Sequence, residues 1–290
     1  MKVELFRKKH SLWMRLLIGS ITTKDADISK SLESFSDIEF RHMMWLANEI
    51  VKEYREFDYE NKDSDTPAPK IYDFDMQIEP LSSDAHTMLE ELQDELKVII
   101  GTYGESCVLA NRFKSDESYF LHKVEKTQNK NELHMYNSYG GSSDKVAKNL
   151  EMTPYDAEFI INSLENLLDK EYSSVISFFF LITHLEDRWS AEMLKDLMHE
   201  SLSHMKYYAS MMSSLGVLRM PKNPPKEEYM VKSLKEFIDN NIEDEKKEVE
   251  EMKEIALRVK YDDFKNLLRF VEEQELHHID ILERIREAKA

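Results

Sequence analysis

The stretch EEQELHHIDIL, residues 272–282, decides how the chain is read. It places two histidines inside a strongly helical, charged run. A helix that packs in a bundle buries positions spaced alternately three and four apart. On that spacing the run presents Phe264, Leu268, Val271, Glu275, His278, Leu282 and Ile285 on one face. The row is apolar except for Glu275 and His278, and the same spacing turns His277 away. A Glu-x-x-His pair on one helical face lets both side chains reach a single ion.

Three further runs repeat the pattern. One carries Leu164, Leu168, Glu171, Val175 and Phe178, a second Leu197, Glu200, His204, Tyr207 and Met211, and a third Ile242, Glu245, Val249 and Met252. Each apolar row is interrupted by a Glu, and two rows add a His. Burying one unpaired carboxylate costs several kcal/mol, and burying several together is worse. A pair of divalent metal ions removes the conflict, because carboxylate oxygens and imidazole nitrogens are its ligands. Within EDEKKEVEE, residues 243–251, charge is so dense that Glu243 or Glu248 stands as an alternative to Glu245.

Glycine and proline divide the rest of the chain. The 290 residues hold six glycines and seven prolines, few enough to favour long helices. Gly19, Gly101, Gly104 and Gly216 end helical stretches, and Thr153 with Pro154 makes an N-cap followed by a first-turn proline. Between these breaks the sequence predicts eight helices in two sets of four, over 3–18, 25–58, 82–101 and 105–127, then 155–186, 189–215, 228–259 and 261–288. Both sets show a short loop, a long proline-bearing connection and a short loop. The expected fold is all-α: two tandem four-helix bundles, each with a long crossover between its second and third helices. The expected domains are 1–130 and 154–290, with 131–153 as a linker around Gly140 and Gly141. An internal match supports duplication: EFRHMMWLANEI at 39–50 aligns with SLSHMKYYASMM at 201–212, setting His42 on His204.

The net charge of −18 argues against a general nucleic-acid binder, which needs basic surface. One cysteine, Cys107, excludes an internal disulfide and any CxxC metal site. No apolar run approaches the roughly 20 residues of a membrane span. MKVELFRKKHSLWMRLLIGSIT at the N-terminus carries Arg15 in its apolar part and lacks a small-residue cleavage site, so it reads as a first helix and the expected location is the cytoplasm.

With EQELHHIDILERI at 273–285 and HESLSHMKYYASMMSSLG at 199–216, the chain resembles the ferritin-like di-iron carboxylate proteins, rubrerythrin and bacterioferritin above all. The resemblance covers 155–290 and extends faintly to the N-terminal half, which makes both bundles ferritin-like. It implies terminal ligands at Glu171 and Glu245, a bridging ligand at Glu275 and a terminal one at His278. The second helix departs from the pattern. If His204 is the family histidine, Ser201 stands where the bridging Glu belongs and Glu200 is its substitute; in another register His204 takes the Glu place and Tyr207 the His place.

The resemblance further implies two iron ions, with zinc or manganese as alternatives, and a ferroxidase or peroxide- or oxygen-reducing oxidoreductase. Oxygen or peroxide would be its substrate, and a separate electron donor would be required because there is no CxxC. Tyr207 or Tyr208 would relay an electron or hydrogen-bond a bound oxygen species. The rival expectation is a non-enzymatic metal-binding or dimerising scaffold, a homodimer, with a decayed site. In the N-terminal set, Glu39 and His42 match the second-helix motif and Glu117 lies on the fourth stripe, but Phe120 stands where a His is wanted and the first helix offers only His10 near the right level. That half reads as a degenerate copy with a packing or partner-binding role.

Overall fold

The computed structural model describes residues 2–23, 25–53, 78–82, 84–103, 108–128, 146–148, 152–229 and 233–288. Among these the protein is all-α, with no strand. The helices are α1 (Lys2–Thr22), α2 (Ala26–Glu53), α3 (Ala85–Gly101), α4 (Val108–Gln128), α5 (Pro154–His184), α6 (Arg188–Leu215), the single turn α7 (Lys226–Tyr229), α8 (Leu234–Arg258) and α9 (Asp262–Ala288). None is long and apolar enough to cross a membrane.

Local chemistry sets most of the boundaries. Thr153 accepts from Asp156 N ahead of Pro154, Asp187 accepts from Trp189 N and Ser190 N, and Ser233 accepts from Glu236 N, so α5, α6 and α8 each begin on a side-chain cap. Asp84 caps α3 in the same way through Thr87 N. Gly216 ends α6 with φ 75°, the left-handed conformation that favours glycine. The expected helix over 228–259 is interrupted: the chain forms α7, and α8 begins only after the Ser233 cap. The end of the expected helix over 25–58 and most of the long connection at 61–80 lie outside the described residues. So does most of the expected 131–153 linker, although residues 146–148 are helical and Val146 and Ala147 are buried.

The described residues divide into two compact units, α1–α4 and α5–α9. In the first, α1 packs along α2 and α3 along α4, and contacts of α2 with α4 and of α1 with α3 close the unit. Leu12, Leu16, Leu32, Leu92 and Leu96 fill its core, where Phe35 stacks on Phe120 with ring centroids 3.8 Å apart. Phe120 thus belongs to the apolar core.

The second unit has the same bundle-like packing. α5 lies along α6, α8 along α9, and the pairs meet through α6–α9 and α5–α8 contacts, with α7 seated on α5. Leu164, Leu168, Leu197, Met252, Val271 and Leu282 are all buried. Burial of this apolar surface, at roughly 25 cal/mol per Å², is the main driving force for the unit. Into this interior the four long helices each send charged side chains.

Candidate metal centre

Glu171 on α5, His204 on α6, Glu245 and Glu248 on α8, and Glu275 and His278 on α9 are all buried. His277 is exposed and Glu243 pairs with Lys246 at the surface. Glu248 is therefore inward together with Glu245. The two lie three residues apart on one helical face, a spacing visible in EKKE but lost among its charged neighbours.

Helix α6 turns slightly from the face expected. Its buried row runs Leu194, Leu197, Ser201, His204, Tyr208 and Met211, while Glu200 and Tyr207 sit at the edge, half-buried. Tyr207 packs edge-on against Phe270. Tyr208 is the tyrosine among the carboxylates: burial and then the charges of Glu171 and Glu275 push its hydroxyl well above the usual range, and it donates to Met252 Sδ at 3.2 Å.

The two imidazoles are presented alike. His204 Nδ1 lies 2.9 Å from Glu171 Oε1 and 2.9 Å from Glu275 Oε1, while its Nε2 donates to Gln274 Oε1 at 3.0 Å. His278 Nδ1 lies 2.7 Å from Glu275 Oε2 and 3.5 Å from Glu245 Oε1, while its Nε2 donates to Glu200 Oε2 at 2.8 Å. Each ring turns Nδ1 to the carboxylates and holds a partner outside through Nε2, with ring centroids 5.4 Å apart. Glu200 is one of those outer partners, about a third exposed. Gln274 is the other, and only the tertiary packing identifies it.

Two groups of side chains could each hold a metal ion. The ligand atoms of His204, Glu275 and His278 lie within 4.8 Å of one another, as do those of Glu171, Glu248 and Glu275. Glu275 belongs to both. Its Oε1 makes no aligned hydrogen bond despite the nearby imidazole, and neither do His278 Nδ1 and the buried Ser201 Oγ. Buried polar atoms left this way call for an explanation such as an ion or water.

The electrostatics express the same crowding. Burial, then the charge of Glu275, pushes Glu171 up to about 7. Burial and neighbouring carboxylates push Glu245 and Glu248 well above the usual range. Burial alone would raise Glu275, but His204 and His278 outweigh it and hold the carboxyl well below its ordinary value. Burial alone would lower His204, but Glu171 and Glu275 hold it up at about 11. Burial would lower His278 too, but Glu200 first, then Glu245 and Glu275, raise it. Without a metal the site is therefore a proton-loaded cluster: the imidazoles are charged, Glu275 stays ionised between them, and Glu171, Glu245 and Glu248 are driven toward neutrality.

In the N-terminal unit Glu39, His42 and Glu117 are also buried together. The α1 residue among them is Lys9. His10 is buried as well, but its ring lies beside Trp13, 5.7 Å away. Comparison of this chain with protein-family models, with curated proteins and with solved structures finds no match, so the chemistry of the centre rests on its own residues.

Proposed function

We propose that the C-terminal unit binds a pair of divalent transition-metal ions, iron first among them, and that the protein is a ferritin-like di-metal carboxylate protein of tandem bundles. The carrying observation is Glu275, which is common to two overlapping groups of potential ligands and lies against both histidines. Four buried carboxylates, Glu171, Glu245, Glu248 and Glu275, carry −4 when ionised. Two divalent ions with neutral imidazoles would bring the site to neutrality, which protons alone achieve only by suppressing the carboxylates. The duplicated spacing supports the tandem reading: 33 residues separate Lys9 from His42 and Glu171 from His204.

In this reading His204 and His278 would offer Nδ1, Glu275 would be shared between the two groups, and Glu171, Glu245 and Glu248 would complete the set. Gln274 and Glu200 orient the imidazoles through Nε2–H, the usual arrangement for ligating histidines. Bound iron would supply one-electron chemistry toward oxygen or peroxide, with electrons delivered by a separate donor. The residues of the chain would hold the ions apart from bulk water, give up the protons of Glu171 and the imidazole Nδ1 atoms as the ions enter, and keep Tyr208 beside the cluster.

A scaffold without metal is the competing reading, favoured by the direct pairing of each imidazole with carboxylates. Elemental analysis of protein purified without chelating resin separates the two. About two irons per chain and oxidation of added Fe(II) are expected for the di-metal protein. Metal-free protein whose melting temperature is unmoved by Fe(II) would leave only the scaffold.

A further inference from the structure

The N-terminal unit contains the donor set of an ion site with a lysine inside it. The ligand atoms of Glu39, His42 and Glu117 lie within 4.8 Å of one another, and all three residues are buried. The Lys9 side chain is fully buried among them. Its Nζ donates to Glu39 Oε2 at 2.9 Å and to Glu117 Oε1 at 2.5 Å, and lies 3.1 Å from His42 Nδ1. An ammonium has three N–H donors, and these three acceptors use them all. His42 Nδ1 accepts because the opposite nitrogen, Nε2, donates to Asp116 Oδ2 at 3.1 Å. Phe113 covers the ammonium with its ring centroid 4.4 Å away, and Tyr103 donates to the same Glu117 oxygen at 2.6 Å. The other oxygen, Glu117 Oε2, is buried with no hydrogen-bond partner.

Lys9 holds the place that Glu171 holds in the C-terminal unit. Each lies 33 residues before the histidine it meets, and each meets that histidine at Nδ1. One position thus carries an acidic side chain in one unit and a basic one in the other. In the C-terminal unit it adds a fourth buried carboxyl to Glu245, Glu248 and Glu275. In the N-terminal unit it supplies the cation that balances Glu39 and Glu117, occupies the donor atoms and would repel a second cation at contact distance.

We propose that Lys9 is a built-in cation that closes the N-terminal unit to metal, and that Lys9→Glu uncovers a latent ion site made by the new carboxylate with Glu39, His42 and Glu117. The equivalence of positions rests on the reading of the C-terminal centre, but the measurement does not.

The full chain, stripped by chelator, is titrated with cobalt(II). Bound metal is counted per chain after desalting, and the visible bands report nitrogen and oxygen ligands. Lys9→Glu is expected to bind one cobalt more than wild type. Adding Glu117→Gln removes the extra ion, Glu275→Gln leaves it in place, and Glu117→Gln in the wild-type background changes no count. A count for Lys9→Glu equal to wild type overturns the proposal, as does loss of metal from wild type on Glu117→Gln. Lys9→Ala is the second variant: it leaves three donors around a space, and both variants should melt higher with cobalt than without it. Failure of both to fold in cobalt also overturns the proposal, since the ion would then not replace the ammonium. Wild type that binds no cobalt defeats the C-terminal reading alone, because the difference between variant and wild type is still counted.

Discussion

Glu171 Oε1 and His204 Nδ1 meet at 2.9 Å across the interior of the C-terminal unit, joining α5 to α6. The contact is a proton store. Glu171 is pushed up to about 7 and His204 is held up at about 11, so near neutral pH the metal-free protein keeps protons on atoms that an ion would need.

Metal binding must therefore release protons, and affinity must rise with pH. The metal-free site runs the other way. A carboxyl whose folded value lies above its unfolded one binds more protons when folded, so the stability Glu171 contributes is lost as pH rises through about 7. The stability His204 gains from its partners is present below 6.5 and is lost only toward about 11. The rise in melting temperature on adding Mn(II) or Co(II) should be larger at about pH 8 than at about pH 6. Thermal melts with and without metal read this directly, and an equal or smaller shift at the higher pH contradicts the assignment.

Glu200 and Glu275 both touch His278, but from opposite sides of the ring. Glu200 holds the outer nitrogen, so Glu200→Ala should leave the number of bound ions unchanged and weaken the ion that His278 would hold by about 10- to 100-fold. Glu275→Gln should remove metal outright, because the shared carboxylate is lost. Competition against a chelator of known affinity gives both numbers. Loss of an ion on Glu200→Ala would instead make Glu200 a ligand.

Helical spacing made several of these residues legible without a structure. Glu171, Glu245, Glu275, His204 and His278 interrupt apolar rows, and a polar group inside such a row needs a partner whatever the exact packing. Thr153–Pro154 and Gly216 marked helix ends through local chemistry alone. What failed was what only neighbouring helices decide. Glu200 and Ser201 differ by one position, and the packing of α6 against α9 turned Ser201 inward. Glu248 was masked because every residue around it is charged or flanks a charge. Lys9 was missed for a stronger reason: a lysine beside Lys8 reads as solvated, and only the convergence of Glu39 and Glu117 from α2 and α4 makes its burial stable.

The connection from α6 to α8 hangs on Arg219. Its guanidinium donates to both oxygens of Asp169 at 2.8 and 2.7 Å, to the Glu165 carbonyl at 3.2 Å and to the Met220 carbonyl at 2.8 Å. This clamps residues 216–222 onto α5, one turn from Glu171. The group is part-exposed, so its loss is screened. Arg219→Met should destabilise the protein by about 1–2 kcal/mol, read as a lower urea midpoint at unchanged slope. Arg219→Lys should recover only part of this, since a point charge cannot reproduce the fork. Full recovery by lysine would show that charge alone holds the segment.

Gly216 precedes that clamp and sets the direction in which the chain leaves α6. With φ 75° and ψ 25° it lies in the left-handed region, and its N–H reaches the Met212 and Ser213 carbonyls while Val217 N closes back on Met212 O at 2.9 Å. A Cβ at this position crowds the following carbonyl by about 1–2 kcal/mol, whereas Asn tolerates the conformation better. Gly216→Ala should therefore lower stability by about 1 kcal/mol and Gly216→Asn by less. Because His204 lies three turns earlier in α6, neither change should alter the bound-metal count. Chemical denaturation of the two variants beside wild type, with metal counted on the same samples, tests both halves. Ala and Asn of equal stability would mean that the connection leaves α6 by another backbone path, and a fallen metal count would mean that the cap positions the centre as well as the loop.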